Sequence, residues 1–157
     1  MNLFIEKHQE LINKLLLHKV DFIVIGGYAV IFHGYARTTG DIDIWLSPTN
    51  DNKVKLLEVF KTMDFFEADL QPIIDMDFTG YFVFSLWEEP EKVDFITKIN
   101  LVEFEEASKR KIIVEVDGLK IPFLHLDDLV LSKFNTGRLK DKADIEELQH
   151  IQRNKKF

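Results

Sequence analysis

A chain of 157 residues is long enough for one domain with a buried core and too short for two comfortable ones. Its 46% hydrophobic content, with 14 phenylalanines, can build that core without covalent staples, and the absence of cysteine excludes disulfides, thiolate zinc sites and cysteine nucleophiles together. The net charge of −7 argues against broad, sequence-blind nucleic-acid binding, where phosphate neutralisation supplies most of the affinity, but leaves room for a local basic patch.

The opening Met1-Asn2-Leu3-Phe4-Ile5-Glu6-Lys7 lacks the basic-then-apolar order of a signal peptide. The longest apolar run, 22–32, is too short for a bilayer and is broken by glycines. A soluble cytoplasmic protein without membrane association is the expectation. Acidic residues crowd into 58–106, whereas Arg138, Lys140, Lys142, Arg153, Lys155 and Lys156 make the C-terminal end more basic.

Along the chain, Leu3, Ile5, Leu11, Ile12, Leu15 and Leu16 recur at helical spacing and predict an amphipathic helix over 3–19. Residues 21–25 are a short β-branched run ending in two glycines, a buried strand. A short apolar helix follows over 28–32, stopped at His33-Gly34. Residues 36–40 form a loop and 42–46 the next strand. Ser47-Pro48-Thr49-Asn50 starts a helix whose apolar face is Val54, Leu57, Val59, Phe60 and Met63.

Beyond residue 64 the pattern reads as β-rich. Strands are expected at 80–87 and 92–96, joined by the acidic turn Glu88-Glu89-Pro90-Glu91, and a short helix over 100–108. Residues 111–116 and 119–121 form a hairpin about Asp117-Gly118. Two helices, 126–135 and 140–151, break near Thr136-Gly137. With no repeat or linker, the chain reads as a single domain over 1–157, with a core over 20–122 and a C-terminal helical segment over 123–157.

The most informative stretch is 26–45. In Asp41-Ile42-Asp43-Ile44 the period of two puts both carboxylates on one strand face and both isoleucines on the other. Paired carboxylates repel each other and resist desolvation unless a cation neutralises them, and hard oxygen ligands of this kind suit Mg²⁺. Gly26 and Gly27 lie where a strand turns into a helix whose unpaired N–H groups can hold phosphate. Metal and phosphate sites would therefore be neighbours.

Gly26-Gly27-x-Ala29, His33-Gly34, Arg37-x-Thr39-x-Asp41-x-Asp43 and the apolar pair Ile44-Trp45 together resemble the nucleotidyltransferase fold superfamily, the group related to DNA polymerase beta. Within it the pattern is similar to the minimal bacterial branch near the AbiEii-type toxins and small antibiotic nucleotidyltransferases. The resemblance resumes at Val93-Asp94-Phe95-Ile96 and at Leu129-x4-Phe134-x2-Gly137-Arg138-x2-Asp141-x2-Asp144-Ile145, so it spans about 22–145. It implies an α/β (α+β) fold: a short mixed β-sheet flanked by helices, closed by the C-terminal helical segment.

The resemblance further implies one or two Mg²⁺ ions, with Mn²⁺ as a substitute, held by Asp41, Asp43 and Asp94. Asp94 would share the second metal or take the proton of an incoming hydroxyl. Gly26, Gly27, Tyr28, Arg37, Thr39, Lys133 and Arg138 are the expected contacts to the triphosphate of a nucleotide such as ATP. Many family members carry Ser or Thr directly after the paired glycine. Here the residue is Tyr28, which leaves backbone donation alone. Arg37 either pairs with Asp41 or Asp43 or reaches a phosphate bidentately.

His33 reads as a helix-terminal residue, Trp45 and Trp87 as core or pocket wall, and Glu88–Glu91 as a solvated turn. The implied reaction moves NMP from an NTP to an acceptor hydroxyl of a small molecule, a tRNA end or a protein. A cognate antitoxin and a homodimer are the partners the resemblance allows. The alternative is a nucleotide-binding or toxin–antitoxin interaction module of the same fold with little turnover, which Tyr28 and the small size motivate. Metal-dependent phosphodiester hydrolysis is a third.

Overall fold

The computed structural model describes residues 4–36 and 39–155. The first helix, α1 (Glu6–Leu17), buries His8, Leu11, Ile12 and Leu15, a spacing of three and four that keeps one face inward. After β1 (Phe22–Ile25) the chain enters α2 (Gly26–Phe32) with no intervening loop, and then returns along β2 (Ile42–Leu46). Helix α3 (Asn50–Lys61) is capped by Thr49, whose side chain accepts from the Asn52 backbone N–H.

A further helix, α4 (Glu67–Ile74), precedes the hairpin strands β3 (Val83–Leu86) and β4 (Val93–Ile96). Helix α5 (Phe104–Arg110) leads to the hairpin of β5 (Ile112–Val116) and β6 (Leu119–Phe123), and α6 (Leu126–Ser132) and α7 (Leu139–Asn154) pack together at the end.

The expected α/β architecture is present: a mixed six-stranded sheet in the order β3-β4-β2-β1-β6-β5, flanked by helices. The β-rich expectation beyond residue 64 fails at α4. Only Leu70 and Ile73 of that two-turn helix are buried, and Pro72 lies inside it, so it offers little helical periodicity and carries a helix-breaking residue. The available signal was its first turn, where Glu67 and Asp69 favour the positive end of a helix dipole.

Strand β2 runs antiparallel to β1 and parallel to β4. On one face Ile42, Ile44, Val93 and Phe95 are fully buried, and Phe60 of α3 meets Phe95 edge-on while Phe84 stacks on it. This apolar layer fixes the register, because a one-residue slip would carry the isoleucines out and the aspartates in. The register places Asp43 opposite Ile25 on β1 and opposite Asp94 on β4, and Ser85 of β3 opposite Asp94. Ser85, Asp94 and Asp43 thus form one row across three adjacent strands. Asn52 braces the far end of these strands: it bonds both backbone groups of Asp21 and the Ser47 carbonyl at 2.8–3.2 Å.

The turn from β1 into α2 depends on Gly26. Its φ is +68°, and a Cβ added there would overlap the Asp43 carboxylate. The sequence suggested that a bare backbone here serves the approach of phosphate. In the structure the bare backbone also admits the close approach of Asp43.

Gly26→Ala should therefore destabilise the fold by about 2–4 kcal/mol in urea unfolding, combining a positive-φ cost of about 1–2 kcal/mol with the steric overlap. In an Asp43→Ala background the same substitution should cost less, because the carboxylate overlap is gone and only the close contact with the remaining Cβ adds to the backbone part. Equal losses in the two backgrounds would contradict the packing of Gly26 on Asp43.

Candidate active site

The cleft floor is the sheet face that carries the row Asp43, Asp94 and Ser85. An open cleft of about 720 Å³ lies above it, walled on the far side by α6 and the segment into α7 through Leu129, Lys133, Thr136, Arg138 and Asp141. Tyr81, Val83, Ile96 and Ile99 extend the floor as an aromatic and apolar surface.

Asp43 is poorly solvated. Burial, reinforced by the neighbouring Asp94 and Asp41 carboxylates, pushes its pKa up from 3.8 to about 6. Asp41 Oδ1 is buried with no hydrogen-bond partner among the described residues. The Ser85 hydroxyl donates to Asp94 Oδ1.

Two residues not expected from the sequence stand beside these carboxylates. Lys92, two positions before Asp94 on the same strand face, places its ammonium 3.5 Å from Asp94 and 3.9 Å from Asp41. Asp94 and Asp41 in turn hold the Lys92 pKa above its usual value. The neighbouring Asp41 carboxylate raises the Glu89 pKa, because it can accept from the protonated Glu89 carboxyl and repels the ionised one. The acidic turn is exposed at Glu88 and Glu89, as expected of a solvated connection, and it also brings Glu89 beside Asp41. It leads into β4, the strand beside β2, so it lies within reach of the Asp41 end of that strand. That adjacency was the signal, and it could be used only once the strand order was known.

Across the cleft, Lys133 lies 3.3 Å from Asp141 and 3.0 Å from Asp144, and all three side chains are nearly buried. Burial works against ionisation of Asp141, but the Thr136 hydroxyl, at 2.6 Å, and Lys133 outweigh it and the Asp141 pKa is lowered. Removing one partner from such a buried cluster typically costs about 3–5 kcal/mol, so Lys133 is as much a structural cation as a cleft-lining one. Arg138 lines the cleft with a largely exposed side chain, 3.8 Å from Asp141.

The remaining predicted contacts divide. Gly26 lines the cleft and Gly27 is buried in the first turn of α2. The Tyr28 ring is buried, tilted against Phe4 with centroids 4.9 Å apart, and burial raises its pKa. Its side chain is therefore not brought to the cleft, and the residue that departs from the resembled pattern leaves the cleft clear. Thr39 donates to the Asp41 carbonyl at 3.4 Å. Arg37 lies outside the described residues.

His33 caps the C-terminus of α2. It is buried, its Nε2–H donates to the Leu124 carbonyl at 2.7 Å, and burial lowers its pKa, so it is a neutral structural group. Trp45 is core, its indole N–H donating to Thr97 at 3.1 Å, while Trp87 carries the Lys7 ammonium 4.4 Å above its ring.

A family model described as a nucleotidyltransferase of unknown function (DUF6036) matches residues 5–154. The chain belongs to this family. The DUF6036 chain is accordingly a nucleotidyltransferase, a transferase with a nucleotide substrate. None of the curated proteins matches it.

Among solved structures, a candidate nucleotidyltransferase from Thermotoga maritima aligns at 18% identity and a TM-score of 0.57, covering 92% of this chain and 91% of that one. The lincosamide antibiotic adenylyltransferase LnuA, solved with lincomycin bound, aligns at 20% identity and a TM-score of 0.50, covering 96% and 99%. At these identities the likeness establishes a shared fold. No helix among the described residues is long and apolar enough to cross a membrane.

Whether the three aspartates suit a divalent cation can be tested on their own chemistry. The donors are all hard carboxylate oxygens, one of them buried without a partner, and Asp43 resists ionisation for want of compensating charge. These features fit such an ion. As they stand, no three described His, Asp or Glu side chains are gathered closely enough to enclose one. Lys92, between Asp41 and Asp94, supplies positive charge in its place.

The raised Asp43 pKa fixes a sign for stability. Between pH 3.8 and about 6 the folded state holds a proton that the unfolded chain has released, so stability contributed at this position falls as pH rises through that window. Asp43→Asn should match the parent near pH 4 and exceed it by about 3 kcal/mol above pH 6.5 in metal-free urea unfolding. A stability difference that does not change between pH 4 and 7 would contradict the burial of an ionised Asp43.

Proposed function

We propose that this DUF6036 protein transfers NMP from an NTP to an acceptor hydroxyl in a Mg²⁺-dependent reaction. The observation that carries the reading is the register pairing of Asp43 with Asp94 on the cleft floor, opposite a wall bearing Lys133 and Arg138. Asp41, Asp43 and Asp94 would hold the metal, with Mn²⁺ as a substitute. When bound, the metal would neutralise the triphosphate and stabilise charge on the attacking and leaving oxygens.

The chain's own residues account for the rest. Arg138, with an exposed guanidinium, contacts phosphate oxygens, and Lys133 adds fixed positive charge from a position held by Asp141 and Asp144. The first turn of α2 offers backbone N–H groups beside Asp43, because Gly26 brings the two together. Asp94, paired with Asp43 on the cleft floor, either shares a second metal or takes the proton of the acceptor hydroxyl. Tyr81, Val83, Ile96 and Ile99 provide a surface on which a base or a partly apolar acceptor packs. The acceptor is a small molecule, a tRNA end or a protein, and the lincomycin-bound LnuA illustrates the first of these on a shared fold.

Calorimetric titration with each of the four NTPs, with and without Mg²⁺, tests the reading. We expect Mg²⁺-dependent binding of at least one NTP, lost in the folded Asp41→Asn/Asp43→Asn double variant. Binding that ignores both the metal and the substitutions would remove the carboxylates from the site. Tight binding without pyrophosphate release on any acceptor would favour the interaction-module alternative.

A further inference from the structure

Four cleft-lining side chains carry hydroxyls: Tyr81, Ser85, Ser132 and Thr136. Ser132 donates to the Leu129 carbonyl and Thr136 to Asp141, so both are held on the helical wall. Tyr81 lies four residues before Ser85, two strand positions along the floor. Ser85 differs from all three in its partner. It sits directly across from Asp94 in the β3–β4 register, its Oγ–H donates to the Asp94 carboxylate, and the residue is exposed.

A transferase that uses acceptor hydroxyls needs one such hydroxyl hydrogen-bonded to a base and facing the bound nucleotide. The chain already holds one of its own in that arrangement. It is tethered to the sheet and therefore presented at a high effective concentration.

We propose that Ser85 is a self-modification site: in the presence of NTP the protein attaches NMP to its own Ser85 Oγ. The inference rests on the nucleotidyl-transfer reading above. Ser85 Oγ attacks the α-phosphorus of the NTP, and its proton passes to the Asp94 carboxylate. The Oγ–P bond forms as the bond from the α-phosphorus to the bridging oxygen breaks, and the electron pair leaves on pyrophosphate. The product is a phosphodiester between Ser85 and the nucleoside, and Asp94 releases its proton to solvent.

The location has a consequence. Ser85 is on the cleft floor beside Asp94, so the attached nucleotide occupies the space an external acceptor needs. Modification is then self-limiting, one NMP per chain, and it lowers transfer to any other acceptor. An acceptor that binds well on the Tyr81–Val83 surface competes with it.

Peptide mapping by mass spectrometry after incubating the full-length protein with Mg²⁺ and each NTP tests this, with nucleotide binding measured calorimetrically on the same preparation. The expected result is a gain of one NMP, mapped to the peptide containing Ser85. It should be lost at least tenfold in Ser85→Ala and retained in Ser85→Thr, which keeps a hydroxyl.

An unmodified Ser85 peptide in a preparation that binds Mg²⁺ and NTP overturns the self-modification and leaves nucleotidyl transfer standing. Modification mapped to Tyr81 instead also overturns it. Failure to bind any NTP removes the parent reading and the self-modification together. The wild-type peptide map decides the question even if Ser85→Ala does not fold.

Discussion

The structure turns on the forced proximity of carboxylates on one line of the sheet. Asp43 stands opposite Asp94 because the isoleucines and phenylalanine on the other face of the same strands allow only that register. It is pressed against Gly26 because β1 enters α2 without a loop. Carboxylates placed this way repel one another, and burial makes the ionised form of Asp43 worse still. Hydrophobic packing therefore holds in place a charge arrangement that would not form by itself, and that arrangement is an affinity for positive charge.

The surroundings answer that demand in part. Lys92 meets it from between Asp41 and Asp94, whereas Glu89 beside Asp41 adds a further acidic group. A tethered ammonium offsets part of that charge, where under the proposed function a divalent ion would take its place. On the opposite wall the balance is reversed: Lys133 is enclosed by Asp141 and Asp144, so the positive charge facing the cleft is fixed by buried negative partners. Arg138, largely exposed and lining the cleft, is the cation of that wall least enclosed by carboxylates.

How much of this was legible in the sequence depended on the range of the interaction. The Asp41/Asp43 alternation and the glycine pair at a strand end are local signals, and they located β1, α2 and β2 almost to the residue. Asp94 followed from resemblance and is confirmed as a neighbour of Asp43 by strand pairing. Ser85, Lys92 and Glu89 were not legible as neighbours of the aspartates: the last two depend on β4 lying beside β2, which no local pattern encodes, and Ser85 on the register of the expected β3–β4 pair. Helix α4 was missed for a different reason: two buried residues and an internal proline carry almost no period. Tyr28 read as a departure inside the site, whereas its ring turns into the core toward Phe4, a contact between residues 24 positions apart in the chain.

The central claim is that Asp43 is held in a poorly solvated position whose charge a divalent cation compensates. Direct titration of the Asp43 carboxyl by carbon-13 NMR, in metal-free buffer and again with saturating Mg²⁺, tests it. The account predicts a midpoint of about 6 without metal, falling below the ordinary carboxylate range with it. A midpoint near 3.8 in metal-free buffer, or one that Mg²⁺ leaves unmoved, would contradict it.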